Sequence, residues 1–318
     1  MRKVPKIVKE IQSYVPKAIN YAVEKNISFS QLSMYDSCAH RWALQYRDGH
    51  KIYTPSMHAV FGKALHEALQ HYLDIMYKES GAAADRVDIL SFFKSQLKEH
   101  YLDDYKKNNN THFFKDGELQ EFYQDGENII NYFKKHKGKT FSKKRTYLVG
   151  CEIPIIVNPN KMFSKVKFQG YLDVVMYNET LNRFTIYDIK TSTNGWGKWA
   201  LSNKNAIKHY QLVLYKKFFA EQFGIPEKDI DIEFFIVRRK VYEDGEYPQK
   251  RIQKFIPSHG KTTINKATNV LNDFIRDVFV GNEYNQKAYK PSLANPNNCR
   301  FCPYHGGDLC PGTKNRVL

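Results

Sequence analysis

The chain is expected to fold as an α/β protein with a mixed central sheet, and three observations lead there. Through most of the first 145 residues apolar side chains recur at three-to-four spacing, which is helical periodicity. From residue 146 the period shortens to two, the signature of half-buried strands. Beyond that point strand patterns, a helical pattern and further strand patterns follow one another, the order of an α/β core.

Residues 1–145 read as an N-terminal helical region. The stretch "MHAVFGKALHEALQHYLDIMYK" (57–78) carries Phe61, Leu65, Leu69, Tyr72 and Met76 on one helical face. Further helices are expected at roughly 86–106 and 117–135, with the polar loop "KKNNNTHFFKDGE" between them. The basic run "KKHKGKTFSKKR" (134–145) reads as a solvated linker that also touches phosphates. The core, residues 146–260, opens with three strands, "TYLVGCEIPIIV", "KVKFQGYLDVVMY" and "RFTIYDIKT", joined by turns containing Asn and Pro. A helix over about 203–223 follows, then strands in "DIDIEFFIVRRK" and "QKRIQKFIP". A helix near 261–280 and a cysteine-bearing tail fill residues 261–318. No segment has the composition of an interdomain linker, so the three parts are expected to form one compact unit.

Composition narrows the function classes. With 318 residues and 42% hydrophobic content the chain can bury a sizeable core. Its 49 Lys+Arg against 33 Asp+Glu leave a net charge of +16, which favours a polyanionic partner, nucleic acid before a membrane surface. There is no apolar run of membrane-spanning length, and "MRKVPKIVKEIQSYVPKAIN" lacks the apolar centre of a secretory signal, so a cytoplasmic location is expected. Five cysteines, three of them in the last twenty residues, suit a metal or cluster site better than a disulfide framework.

The chemistry concentrates in "IYDIKTS" (186–192). Phe184, Ile186, Asp188 and Lys190 share one face of a strand, which turns from apolar to charged within two residues. Asp173 lies on the preceding strand, and antiparallel pairing through the 178–182 turn brings the two carboxylates together. Two carboxylates and a backbone carbonyl make a hard oxygen site of the kind Mg²⁺ or Mn²⁺ prefers. A lysine beside it can hold a water or offset phosphate charge. A solvated strand end gives the same local pattern, so the neighbouring residues decide. His66 follows Gly62 on the helix "FGKALHEAL", and Gln211 and Tyr215 lie at i, i+4 in "HYQLVLYKK".

In that order these residues resemble the RecB-like branch of the PD-(D/E)XK nucleases, which joins a helical His, a Gly-x-x-Asp strand, an Asp/Glu-x-Lys strand and a Gln-x-x-x-Tyr helix. The matching positions are His66, Gly170 with Asp173, Asp188 with Lys190, and Gln211 with Tyr215. The resemblance implies a restriction-endonuclease-like core. It also implies that His66, Asp173, Asp188 and the Ile189 carbonyl bind Mg²⁺ or Mn²⁺, that Lys190 positions the attacking water, and that Gln211 and Tyr215 support the site or the DNA backbone. Glu152 matches an acid often found on the strand before, and is taken as structural; Glu67 and His71 are taken as solvated.

"NNCRFCPYHGGDLCPG" places Cys299 and Cys302 as Cys-x-x-Cys, with Cys310 beyond. By itself this is ambiguous between zinc, a redox pair and an iron–sulfur cluster. Cys38, in "ISFSQLSMYDSCAHRWALQY", is the natural fourth ligand, in a segment resembling AddB-like and CRISPR-associated nucleases whose one N-terminal and three C-terminal cysteines hold a [4Fe–4S] cluster. Zn²⁺, with His305 available inside the longer last interval, is the alternative; Cys151 reads as a buried, inert thiol.

The expected function is therefore a metal-dependent DNase acting on single-stranded or free ends in recombination, repair or DNA processing. In "TNGWGKWA" either Trp196 or Trp199 is placed to meet a base at the rim, or to pack in the core. The competing class is a non-catalytic DNA-binding scaffold on the same fold, against which the intact Asp173, Asp188 and Lys190 argue. A motor is excluded, because "GKT" at 138–140 and 260–262 lacks the upstream glycine of a phosphate-binding loop; a helicase or recombination partner would be a separate protein.

Overall fold

The structure is a computed structural model that describes residues 4–202, 206–242, 246, 248–292 and 296–310, so the first positions of the helix expected over 203–223 lie outside the described residues. The chain divides into two compact units, each assembled from separate stretches. The first comprises Met1–Val15, Pro55–Pro154 and Tyr171–His259, the second Pro16–Thr54, Ile155–Gly170 and Gly260–Leu318.

In the first unit, α1 (Lys6–Gln12) precedes the long helix α4 (Met57–Lys78), the short α5 (Gly81–Arg86), α6 (Ile89–Lys107) and α7 (Glu118–His136). Their apolar stripes, including Phe61, Leu65, Tyr72, Phe93, Leu97 and Phe133, share one core with Val174, Met176, Tyr187, Ile189, Phe235 and Val237 of the sheet. The run 134–145 is only in part the expected solvated linker, with residues 142–145 exposed and irregular before β2. It holds the end of α7 and a 3₁₀ turn, Lys137–Lys139, where Lys137 Nζ pairs with Asp85 at 2.8 Å and Lys134 Nζ donates to the Asp85 carbonyl.

Strands β2 (Thr146–Val157), β3 (Val166–Asn178), β4 (Arg183–Ser192), β5 (Ile230–Arg238) and β6 (Ile252–Phe255) follow the expected boundaries within a few residues. β3 and β4 pair antiparallel from Asn178↔Arg183 to Val174↔Tyr187, as the 178–182 turn requires. β4 and β5 run parallel, Phe184↔Ile230 to Ser192↔Arg238, which needs a crossover; α8 (Lys198–Leu201) and α9 (Ala206–Phe223) provide it. β6 closes this side of the sheet antiparallel to β5. Residues of β4 thus alternate between two buried faces: Tyr187 and Ile189 meet the α4–α7 layer, while Phe184 meets Phe219 of α9 with ring centroids 5.7 Å apart.

The second unit contains β1 (Lys25–Ile27), parallel to the start of β3, then α2 (Phe29–Ser37), α3 (Ala39–Trp42) and a π-turn at Ala43–Arg47. The amphipathic α10 (Lys261–Val278), the hairpin β7 (Phe279–Val280) and β8 (Glu283–Tyr284), and α11 (Pro296–Cys299) complete it. Its centre is Trp42, fully buried among Tyr35, Phe274, Tyr284 and Tyr289. Among the described residues no helix is long and apolar enough to cross a membrane.

Candidate functional site

The site forms where β3 and β4 part. Their ladder runs to Val174↔Tyr187, and one step further on Asp173 Oδ2 takes the place of a backbone acceptor, receiving the Ile189 N–H at 2.7 Å. Asp188 lies across from it, 2% exposed, with Lys190 Nζ 2.7 Å from its Oδ2. That oxygen is buried and makes the ion pair without a hydrogen bond of good geometry. Helix α4 approaches β4 at Gly62, where an added Cβ would come within 3.2 Å of Thr191 Oγ1. One turn further along α4, His66 hydrogen-bonds to the Ile189 backbone and its Nδ1 stands 3.7 Å from Asp173 Oδ2. From the other side, α9 presents Tyr215, whose phenol hydrogen-bonds with Gln211.

The electrostatics follow from burial and like charge. Burial, then the Asp188 carboxylate, pushes the Asp173 carboxyl well above its ordinary range, with Glu152 adding to the rise. Burial likewise raises Asp188, against the pull of Lys190. Burial works against the charge on Lys190, but Asp188 and Asp173 outweigh it and hold the ammonium above its usual value. Burial and the neighbouring Lys190 push His66 down to about 4, so its imidazole is neutral and has a lone pair to offer at neutral pH. Burial lifts the Tyr215 phenol to about 12, making it a proton donor rather than a base.

Two residues belong to this site beyond the expected set. Gln70, one turn after His66 on α4, donates to Glu152 Oε1 at 2.6 Å and to the Asp173 carbonyl at 3.0 Å. Glu152 therefore adjoins the site instead of serving β2 alone, and it does so with a left-handed φ of 51°, a conformation that a non-glycine residue rarely adopts without a compensating contact. The i, i+4 spacing of His66 and Gln70 was available in the sequence as a clue. Glu67 and His71 are part-exposed and each has a partner: Glu67 binds His100 Nε2 at 2.9 Å and His71 stacks on Phe92 at 4.5 Å. Of the two tryptophans, Trp196 packs on Phe234 at 4.9 Å, while Trp199 is 67% exposed.

The donor set of two carboxylates, a backbone carbonyl and a neutral imidazole suits a hard divalent cation, and the mutual repulsion of Asp173 and Asp188 is what such a cation would relieve. As the side chains stand, no group of three or more His, Cys, Asp or Glu among the described residues is arranged to hold a metal ion. Asp188 is turned to Lys190 and Asp173 to the Ile189 N–H.

In the second unit Cys38, Cys299, Cys302 and Cys310 line one small cavity, together with His305. Cys38 Sγ accepts N–H groups from Arg41 and Ser292, each at 3.5 Å. Burial, then Cys302, Cys38 and Cys310, raises the Cys299 thiol. Cys151 is half-buried, its thiol pushed far up by burial and then by Asp74, Glu152 and Asp173.

Comparison with known proteins finds the family model of the PD-(D/E)XK nuclease superfamily matching residues 26–311. No curated protein sequence matches the chain. Among solved structures, one from Eubacterium rectale provisionally described as an exonuclease is similar at 13% identity and a TM-score of 0.45, covering 83% of this chain and 85% of that one.

Proposed function

The chain belongs to the PD-(D/E)XK nuclease superfamily, and from that premise we propose that it is a divalent-metal-dependent deoxyribonuclease that attacks single-stranded DNA from free ends. The observation that carries the reading is the pairing of buried Asp188 with half-buried Lys190 at 2.7 Å, set against the half-buried carboxylate of Asp173 where the β3–β4 ladder opens. A merely structural ion pair has no use for the additional like charge of Asp173.

In this reading Asp173, Asp188, the Ile189 carbonyl and His66 would hold Mg²⁺ or Mn²⁺, which when bound would supply Lewis-acid polarisation of the phosphate and a more acidic water. Lys190 Nζ, charged at neutral pH, orients the attacking water and offsets charge gathering on the phosphate oxygens. Gln211 fixes the Tyr215 hydroxyl, which donates a hydrogen bond to the phosphate or its water without losing its proton. Gln70 holds the Asp173 backbone and Glu152 together, so the carboxylate behind the first two stays in register.

The cysteine quartet is read as the seat of a [4Fe–4S] cluster, with Zn²⁺ as the alternative. Support comes from four sulfurs around one cavity and from two N–H groups aimed at Cys38, the usual surroundings of a thiolate ligand. DNA recombination, repair or processing is the setting such an enzyme fits, with any helicase supplied by a separate protein.

The test uses 5′- and 3′-labelled single-stranded, double-stranded and circular single-stranded DNA with Mg²⁺, Mn²⁺ or EDTA. Linear single strands are expected to be cut in either metal and circles spared. Asp188→Asn should be inactive, and Lys190→Ala slower by about a hundredfold to a thousandfold. Cleavage in EDTA, or by Asp188→Asn, overturns the reading.

A further inference from the structure

Beside the site stands a cation with no carboxylate partner among the described residues, Lys208. It lies on α9 at i, i+3 and i+7 with Gln211 and Tyr215, so the three side chains form one stripe along the helix face that looks onto Asp188 and Lys190. Its Nζ sits 3.7 Å from the centroid of the Trp196 ring. Burial, then the charge of Lys190, holds the Lys208 ammonium below its usual value.

The platform beneath it is rigid. The Gln253 side chain accepts from the backbone N–H of Trp196 at 2.8 Å and donates to its backbone carbonyl at 3.0 Å. Gly195, with φ of 84°, has no room for a Cβ, which would fall 2.5 Å from Arg238 Nε. The ring packs at a tilt on Phe234 and Phe255 and carries the lysine, so Trp196 is the holder of a charge and not a free surface for a base.

Two half-buried ammonium groups within each other's field, one of them without a carboxylate, are unfavourable in the free protein. The ring offsets part of that, and an anion would offset more. We propose that Lys208, held over Trp196, grips a backbone phosphate of the DNA strand next to the phosphate that is cut at Asp188 and Lys190. The proposal rests on the nuclease reading for its substrate. It adds a residue that binds the neighbouring linkage and so sets how the strand is threaded past the scissile bond.

The experiment is a binding titration in EDTA, where nothing is cut, on a short single-stranded oligonucleotide and on a series carrying one neutral methylphosphonate linkage at each position in turn. Wild type, Lys208→Gln, Lys208→Met and Lys208→Arg are compared after melting curves show which are folded. The uncharged variants should bind about tenfold more weakly. Their salt slope should be shallower by about 0.7. Lys208→Arg should restore both. At one position the methylphosphonate should weaken wild type but not the uncharged variants, because the contact is already gone. Uncharged variants with wild-type affinity and slope, or methylphosphonate effects undiminished at every position, overturn the proposal. Because the readout needs no catalysis, a wild type that binds with the Lys208-dependent slope yet fails to cut in Mn²⁺ overturns the nuclease reading while supporting the phosphate contact.

Discussion

Asp173 and His66 are 3.7 Å apart and titrate in opposite senses, which gives the site a measurable signature before any substrate is added. The folded chain holds the Asp173 proton more tightly than the unfolded chain, because burial and Asp188 disfavour its charge. Its contribution is therefore neutral below the ordinary carboxylate range and becomes a destabilisation as pH rises through the raised value, at about 1.4 kcal/mol for each tenfold gain in proton affinity on folding. His66 is depressed from 6.5 to about 4, so its contribution is fully present above the ordinary histidine range and is lost as pH falls from 6.5 towards 4. Asp173→Asn removes the carboxylate charge but keeps an oxygen that can accept the Ile189 N–H. In EDTA at pH 7 this variant should melt above wild type while cutting nothing, and it should lose the part of the pH slope that Asp173 carries. A lower melting temperature at pH 7 would show that the carboxylate is not held against its charge.

At the scale of elements, periodicity made most of the first unit legible. β2 matches its expected 146–157 bounds, and α4 its 57–78, because each buries a continuous stripe over many residues. Among the elements missed were those too short to show a period: β1 with three residues, the two-residue strands β7 and β8, the four-residue helices α8 and α11, and the π-turn at Ala43–Arg47. Charge counting missed the ordered first half of 134–145, since it registers lysines and not the Asp85 that fixes Lys137. The motif residues of the site were legible because each sits at a fixed step in a strand or helix. Lys208 was not, because a lysine in a basic chain is silent until its helix face is known. Close packing makes a sharper demand that no pattern reveals. Gly126 of α7 lies so near Phe93 of α6 that an added Cβ would be 2.2 Å from the ring. Alanine gains about 1 kcal/mol of helix propensity over glycine, yet overpacking a buried ring costs about 1–3 kcal/mol. Gly126→Ala should therefore lose stability in urea titrations, whereas Gly138→Ala, with nothing within 4 Å, should stay within about 0.5 kcal/mol of wild type. A stabilised Gly126→Ala would mean the two helices stand further apart than described.

On the scale of the whole molecule, catalysis and cross-linking are assigned to different units. His66, Asp173, Asp188, Lys190, Gln211 and Tyr215 all fall in the first, and Cys38, Cys299, Cys302 and Cys310 in the second. The second unit is gathered from Pro16–Thr54, Ile155–Gly170 and Gly260–Leu318, stretches far apart in the chain, so closing it is entropically expensive. A metal centre joining positions 38 and 299 restricts the unfolded chain as a long cross-link does, worth on the order of 5 kcal/mol by loop closure, with the metal–thiolate bonds adding to it. Protein purified without oxygen should therefore carry iron and acid-labile sulfide. Cys299→Ser should lose them and melt at a markedly lower temperature. The molecules that remain folded should still cut DNA with a single-turnover rate close to wild type, since every residue proposed to act in catalysis lies in the first unit. Stoichiometric zinc without iron would replace the cluster by the zinc alternative. A protein containing neither metal, in which Cys299→Ser melts as wild type does, would leave the four sulfurs with no role beyond packing. If Cys299→Ser instead kept its melting temperature but lost its rate, the separation of the two roles would be wrong, and the cysteine unit would have to act on the chemistry itself.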